Sequence, residues 1–392
     1  MSSPISRSDR RILAVGVVLA AVWVAGGAST VAGQTGTRST MPDVKHVNCE
    51  GGQSLAAAVR HAKEGQTIQI SGTCQERVPI TTPRLTLAGA GTAVIDGMGV
   101  ALGADPQLDG LVVIDGVTGV TLEGLTIQHS SGNGVLAQRG AAFAMSDSLV
   151  QSNAATGIVV LDHSAAELTN CVSTRNRLGL DVVTSSAAVL KGTFSSSHNG
   201  NGVDINGASI IELRGAQVEL NDNDGYGLTG ASGSHVAIFG WQASEGSTLT
   251  ANGNGFAGLV LPEGNLTVYV PAVISASNNM FGIRLMDGRV AAPSGKTKFR
   301  LEDNTVAGMS LGWGAQVIIV GGLTVQGNGT GVLADGAGPL ILTSVPANPS
   351  TITGNGTDMS LAFGTRATIN GVTIGTLVCD ATVLSRGTTT CP

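Results

Sequence analysis

The chain has 392 residues, of which 57 are Gly, 42% hydrophobic, 3% aromatic and 12% charged, with a formal net charge of −6. A charged share about half the ~25% of an average domain argues against an ordinary globular enzyme, and the recurring Val, Leu and Ile exclude disorder. The negative charge, with no Lys/Arg run beyond the extreme N-terminus, argues against a nucleic-acid partner.

In chain order, the first element reads as an export signal. Arg7, Arg10 and Arg11 precede an apolar run from Ile12 to Ala25, and Val31-Ala32-Gly33 offers a cleavage point. The alternative is an uncleaved membrane anchor, for which the run is short of the ~20 residues a span needs. Cleavage removes three Arg and one Asp, so the −6 of the full chain becomes −8. No later segment is apolar and long enough to span a membrane. Residues 34–48 read as a flexible linker.

Residues 49–110 read as a seal and the first coils of a solenoid. Ser54 is placed to cap a short helix with Leu55, Val59 and Ala62 on one face and Gly65 just beyond its end. Thr67-Ile-Gln-Ile, Val78-Pro-Ile, Leu85-Thr-Leu and Val94-Ile-Asp are the first strands. Cys49 and Cys74 flank this helix and strand, and Cys379 and Cys391 flank the last segment. In an oxidising compartment each pair is expected as a disulfide; four free thiols is the alternative.

Residues 111–376 carry a repeat. A Gly followed by apolar-x-apolar recurs from Gly134-Val-Leu-Ala through Gly157, Gly179, Gly202, Gly227, Gly258, Gly282, Gly308 and Gly331, with a degenerate copy at Asp358-Met-Ser-Leu. The spacings are 23, 22, 23, 25, 31, 24, 26, 23 and 27 residues. The residue after Gly is always apolar and the next varies freely, which is strand alternation with one face in and one out. An Asn precedes each Gly by three or four residues from Asn153 to Asn355, suited to a coil-to-coil ladder. A second row, Gly124, Asp147, Asn170, Gly192, Gly215 and Gly240, uses the residues that tolerate left-handed backbone. Three short strands per coil with fixed corners account for both rows. The expected fold is all-β: a single-stranded right-handed parallel β-helix of about ten coils of ~23 residues, with a short N-terminal capping helix and a disulfide-closed tail at 377–392. Cys171 falls on an inward position and reads as a buried, inert thiol.

The entry segment from Cys49 to Cys74, with Leu122-Glu-Gly-Leu-Thr-Ile and Ile369-Asn-Gly-Val-Thr-Ile, resembles the parallel β-helix repeat of the pectate-lyase-like superfamily. That resemblance implies the fold strongly and chemistry weakly, since the superfamily holds lyases, hydrolases, esterases, epimerases and adhesins.

A solenoid presents one outward residue per coil along each row. Two after each Gly the row reads Leu136, Val159, Asp181, Asp204, Thr229, Val260, Arg284, Ser310, Leu333 and Ser360. Asp181 and Asp204 fall in consecutive coils, with backbones about 4.8 Å apart, close enough that one carboxyl pKa rises. His198 and Arg175 lie on the rim of the same coils. Asp181, Asp204 and His198 are therefore the candidate catalytic residues, and Arg175, Lys191, Arg214 and Arg284 the candidate substrate-binding ones. If this strand is the first sheet of the superfamily's enzymes, the resemblance implies carbohydrate chemistry on this face, of lyase, hydrolase or epimerase type. The Asn-Thr-Asp, Gly-His-Gly and Arg-Ile-Lys motifs of polygalacturonases are absent. The bland alternative is a solvated strand face.

Tyr226, Tyr269, Trp241 and Trp313 are available to stack on sugars, but form no evident platform. Asp222-Asn-Asp224 falls short of a calcium loop and reads as a turn, and six His and eight Met show no clustering for copper delivery. No cofactor is expected. The leading expectation is an exported, secreted or periplasmic protein that binds or processes polysaccharide; the alternative is a non-enzymatic envelope rod.

Overall fold

The computed structural model describes residues 44–103, 105, 108–239 and 246–391. The expected signal at 1–33 and Trp241 lie outside the described residues.

The Gly-apolar-x-apolar copies form one face of a parallel β-solenoid. Their strands join others into a sheet of 13, each strand pairing in parallel with its counterpart one coil on. A 24-stranded sheet supplies the other two faces. The residue after each Gly points inward, and Val135, Ile158 and Leu180 have no exposed surface. The inward rows form one continuous apolar core along the solenoid. Cys171 lies in it, its thiol pushed up to about 11 by burial.

The corner row has the predicted conformation. Gly124, Asp147, Asn170, Gly192 and Gly215 all have φ between 48° and 62°; Gly240 lies outside the described residues. In four coils the pairing continues across the corner between two faces, giving single long strands at Ala165–Thr174, Ala187–Ser197, Arg289–Glu302 and Gln316–Gln326, the first two with their left-handed corner residues Asn170 and Gly192 inside them.

The Asn ladder is built from the same repeat. Each Asn from 153 to 328 donates its backbone N–H to the side-chain oxygen of the next, as at Asn153–Asn176 (2.9 Å) and Asn304–Asn328 (2.9 Å). At the last rung there is no further Asn. Asp358, which replaces the repeat's Gly, turns its Oδ1 to accept both the backbone and side-chain N–H of Asn355, each at 2.9 Å. Burial would raise the Asp358 pKa; the donors from Asn355 and Thr376 more than offset it and hold the carboxyl below its usual range. The degenerate copy is therefore the ladder's terminus.

Both ends carry disulfides, Cys49–Cys74 and Cys379–Cys391, as expected. The capping helix is Leu55–Arg60; Ser54 Oγ accepts from the Ala57 N–H at 3.0 Å, and Glu76 accepts from Ser54 Oγ and the Leu55 N–H.

Three expectations change. Among the described residues the Gly-marked face has 13 strands rather than about ten coils, because Val78–Ile80 and Leu377–Cys379 join it without the Gly-apolar-x-apolar pattern, and Gly110–Asp115 joins it with its Gly one place early, opposite Asn133. At ~4.8 Å per strand that is about 58 Å of stack. Residues 44–48, expected within a linker, form a strand that pairs with Thr67–Ser71, because Val47 drops into the core beside Ile70. The tail at 377–392 is part of the stack: Leu377–Cys379 pairs with Met359–Leu361, and Leu384–Gly387 with Arg366–Ile369.

Candidate functional site

The outward row of the 13-stranded sheet is in the register the repeat predicts. Leu136 pairs with Val159, Val159 with Asp181, Asp181 with Asp204, Asp204 with Thr229, Thr229 with Val260, and Val260 with Arg284. The row continues through Ser310 and Leu333 to Ser360. It has three zones. Val113, Leu136 and Val159 form a small apolar cluster separate from the core, with Leu161 packed against it. The two carboxylates follow, and then Thr229, Val260 and Arg284.

Asp181 and Asp204 differ in environment although they are direct neighbours. The Asp181 Oδ1 is sealed from solvent and has no hydrogen-bond partner. Burial, and then the adjacent charge of Asp204, push the Asp181 pKa up to about 7, with Arg177 pulling the other way. Burial also raises Asp204, opposed by the backbone N–H of Ile205. Two interacting carboxyls in one desolvated site titrate as a pair. Near neutrality this one holds a proton that an isolated Asp would have lost.

The other predicted residues are dispersed. His198 and Arg175 are exposed corner residues in left-handed conformation, φ 57° and 56°. The His198 imidazole lies 3.9 Å from the Asp222 carboxylate, and among the described residues no hydrogen bond or ion pair links it to Asp181 or Asp204. Lys191 and Arg214 belong to the other sheet, where Lys191 pairs with Glu167 at 2.8 Å and Arg214 with Glu212. Arg284 is on the same row as the acid pair, three strands beyond Asp204.

Two features escaped the sequence reading. Arg177 is the cation that acts on Asp181; it directly follows the ladder residue Asn176, a position that none of the sequence rows follows. The second is an aromatic group. Tyr226 meets Phe256 edge-on at 5.3 Å, Phe256 meets Phe281 at 5.4 Å, and the Arg284 guanidinium lies 5.4 Å and 5.0 Å from the Phe256 and Phe281 ring centres. The long coil between Tyr226 and Phe256 hides this stack from a fixed-period reading. Tyr269 stacks on Phe239 at 4.6 Å on the other sheet, and Trp313 is 71% exposed.

Among the described residues no group of three or more His, Cys, Asp or Glu is arranged to hold a metal ion, and no helix is long and apolar enough to cross a membrane.

Residues 105–267 match the family model described as right handed beta helix region. Among solved structures, pectate lyase Pel9A is 11% identical with a TM-score of 0.46, covering 66% of this chain and 79% of its own. An alginate lyase from Paenibacillus sp. str. FPU-7 is 12% identical with a TM-score of 0.45, covering 74% and 99%. The A-module of the Azotobacter vinelandii mannuronan C-5 epimerase AlgE4 is 15% identical with a TM-score of 0.44, covering 80% and 100%. No curated protein matches the sequence.

Proposed function

We propose that this right-handed parallel β-helix binds a polysaccharide along the outward row of its 13-stranded sheet and carries out acid–base chemistry on it at Asp181 and Asp204. One observation carries the reading: two carboxylates in register on adjacent strands, one with a sealed, unpartnered oxygen and a pKa of about 7. At neutral pH such a pair has one carboxyl able to give a proton and one able to take one, which is the division of labour that sugar chemistry uses. Asp181, the more desolvated, is the donor, and its proton goes to the oxygen leaving the sugar unit. Asp204 is the acceptor, from water or from a sugar carbon. The Arg177 charge stabilises the ionised form that Asp181 takes as it gives up its proton, and a proton from solvent restores the acid between turnovers.

The row is suited to a polymer. It offers one outward side chain per coil at ~4.8 Å, comparable to the length of one sugar unit, with apolar and aromatic groups on either side of the acids. The signal expected at residues 1–33 would place this activity outside the cytoplasm.

A second reading, a non-enzymatic envelope rod, is favoured by the dispersal of His198, Arg175, Lys191 and Arg214 away from the acid pair. Incubation with a panel of uronate-containing and neutral polysaccharides separates the two. The enzymatic reading expects one of them to be turned over, with Asp181→Asn and Asp204→Asn each lowering the rate at least ~100-fold. No turnover on the whole panel, with the protein retained at the cell surface, would establish the rod instead.

A further inference from the structure

We infer that Arg284, held over the rings of Phe256 and Phe281, is an anchoring subsite for a carboxylate-bearing sugar unit about three residues along the chain from the acid pair. The inference rests on the reading of Asp181 and Asp204 as the reacting site and adds to it a substrate charge and a minimum length.

Three observations place it. Arg284 is on the same outward row as the acids: Asp204 pairs with Thr229, Thr229 with Val260, and Val260 with Arg284. Three parallel-strand steps put its backbone about 14 Å from that of Asp204, the span of roughly three sugar units. Its guanidinium lies over two phenyl rings, 5.4 Å and 5.0 Å from their centres. The Tyr226–Phe256–Phe281 row supports those rings from the side of the acid pair. Finally, among the described residues no carboxylate forms an ion pair with Arg284, whereas Lys191 and Arg214, two of the other candidate substrate-binding cations, are each paired within the fold.

The rings fix the guanidinium without neutralising it, since a cation over aromatic faces keeps its charge and its in-plane donors. Half-buried among rings, it has lost part of its hydration, and a planar carboxylate is the group whose geometry matches its donor fork. The half-buried flanks of the aromatic row are left for the sugar ring itself. A glycan too short to reach from Asp181 to Arg284 would lack this anchor. Longer chains would gain it and could direct the added binding energy into positioning at the acids.

The test is calorimetric titration of the full chain, carrying Asp181→Asn so that nothing is consumed, with oligouronates of two to six units. Fully methyl-esterified and sulfated neutral oligosaccharides of the same lengths serve as comparisons. The expected result is a step of about tenfold in affinity between three and five units with oligouronates. That step should vanish in Arg284→Gln, persist in part in Arg284→Lys, and be missing with the esterified series. Melting curves of the Arg284 variants check that the aromatic row still folds. An equal length dependence with and without Arg284, a step seen only with sulfated sugars, or no binding of any oligouronate would each overturn the subsite. A step that depends on Arg284 in a protein with no turnover on any glycan would keep the subsite and sink the acid–base reading. Turnover that is indifferent to Arg284 would do the reverse.

Discussion

The side-chain oxygen of Asn199 accepts two hydrogen bonds from Asn176 one coil away, from the backbone N–H at 2.9 Å and the side-chain amide at 3.3 Å. The Asn176 oxygen does the same for Asn153, at 2.9 and 3.0 Å. Each rung thus satisfies the donors of the coil before it. All three residues are at most 4% exposed, so water cannot replace a missing rung.

Asn176→Ala should therefore cost more than the loss of one side chain. It strands the backbone and side-chain donors of Asn153, and each unsatisfied buried donor costs about 1–3 kcal/mol. Asn170→Ala, at an exposed corner of the same coil, meets a left-handed φ of 53° that Asn176 does not have, but leaves no buried donor. Urea denaturation of both variants should show the Asn176 change to be the more damaging by at least ~1 kcal/mol. Equal losses would mean that the ladder contributes nothing beyond its backbone geometry.

Most of the fold was legible because the solenoid repeats its constraints. Gly179 shows why the Gly row is so regular: a Cβ there would lie 1.7 Å from Ser196 Oγ and 2.6 Å from the Gly202 carbonyl. The next coil occupies that space in every turn, so the chain has to repeat Gly at that position. The ladder Asn and the left-handed corners are bound by the same periodicity. The coils at the ends escaped it because they have other constraints. Asp358 gives up the Gly so that the last Asn finds an acceptor, and Val44–Asn48 is held by one pairing rather than by a repeat on both sides.

The candidate site was legible only along the strand direction. The partnership of Asp181 and Asp204 follows from strand register alone and is observed. The rim residues depend on where a corner aims its side chain, and no periodicity encodes that. His198 turns to Asp222, while Arg177, outside every row, is the cation acting on Asp181. The aromatic row was hidden by coil lengths that differ from one turn to the next.

The raised pKa of Asp181 makes stability depend on pH in a defined sense. The folded protein holds this proton up to about 7, whereas the unfolded chain releases it near 3.8. Between those values the folded state binds more protons, so this carboxyl's contribution is full below 3.8 and declines as pH rises to about 7. Asp181→Asn removes the dependence. Its melting temperature relative to the unmodified protein should therefore rise between pH 4 and pH 8, by about 2–4 °C for each kcal/mol recovered. A difference that is the same at both pH values would mean that Asp181 titrates as an ordinary surface carboxylate.

The most direct measurement is a carbon-13 NMR titration of the Asp side-chain carboxyls. One resonance should titrate near pH 7, disappear in Asp181→Asn and move to lower pH in Asp204→Asn, where burial remains but the neighbouring charge is gone. If every Asp carboxyl of the folded protein titrates below pH ~5, within the ordinary range of the residue, the two acids are a solvated pair on a strand and the proposed acid–base site does not exist.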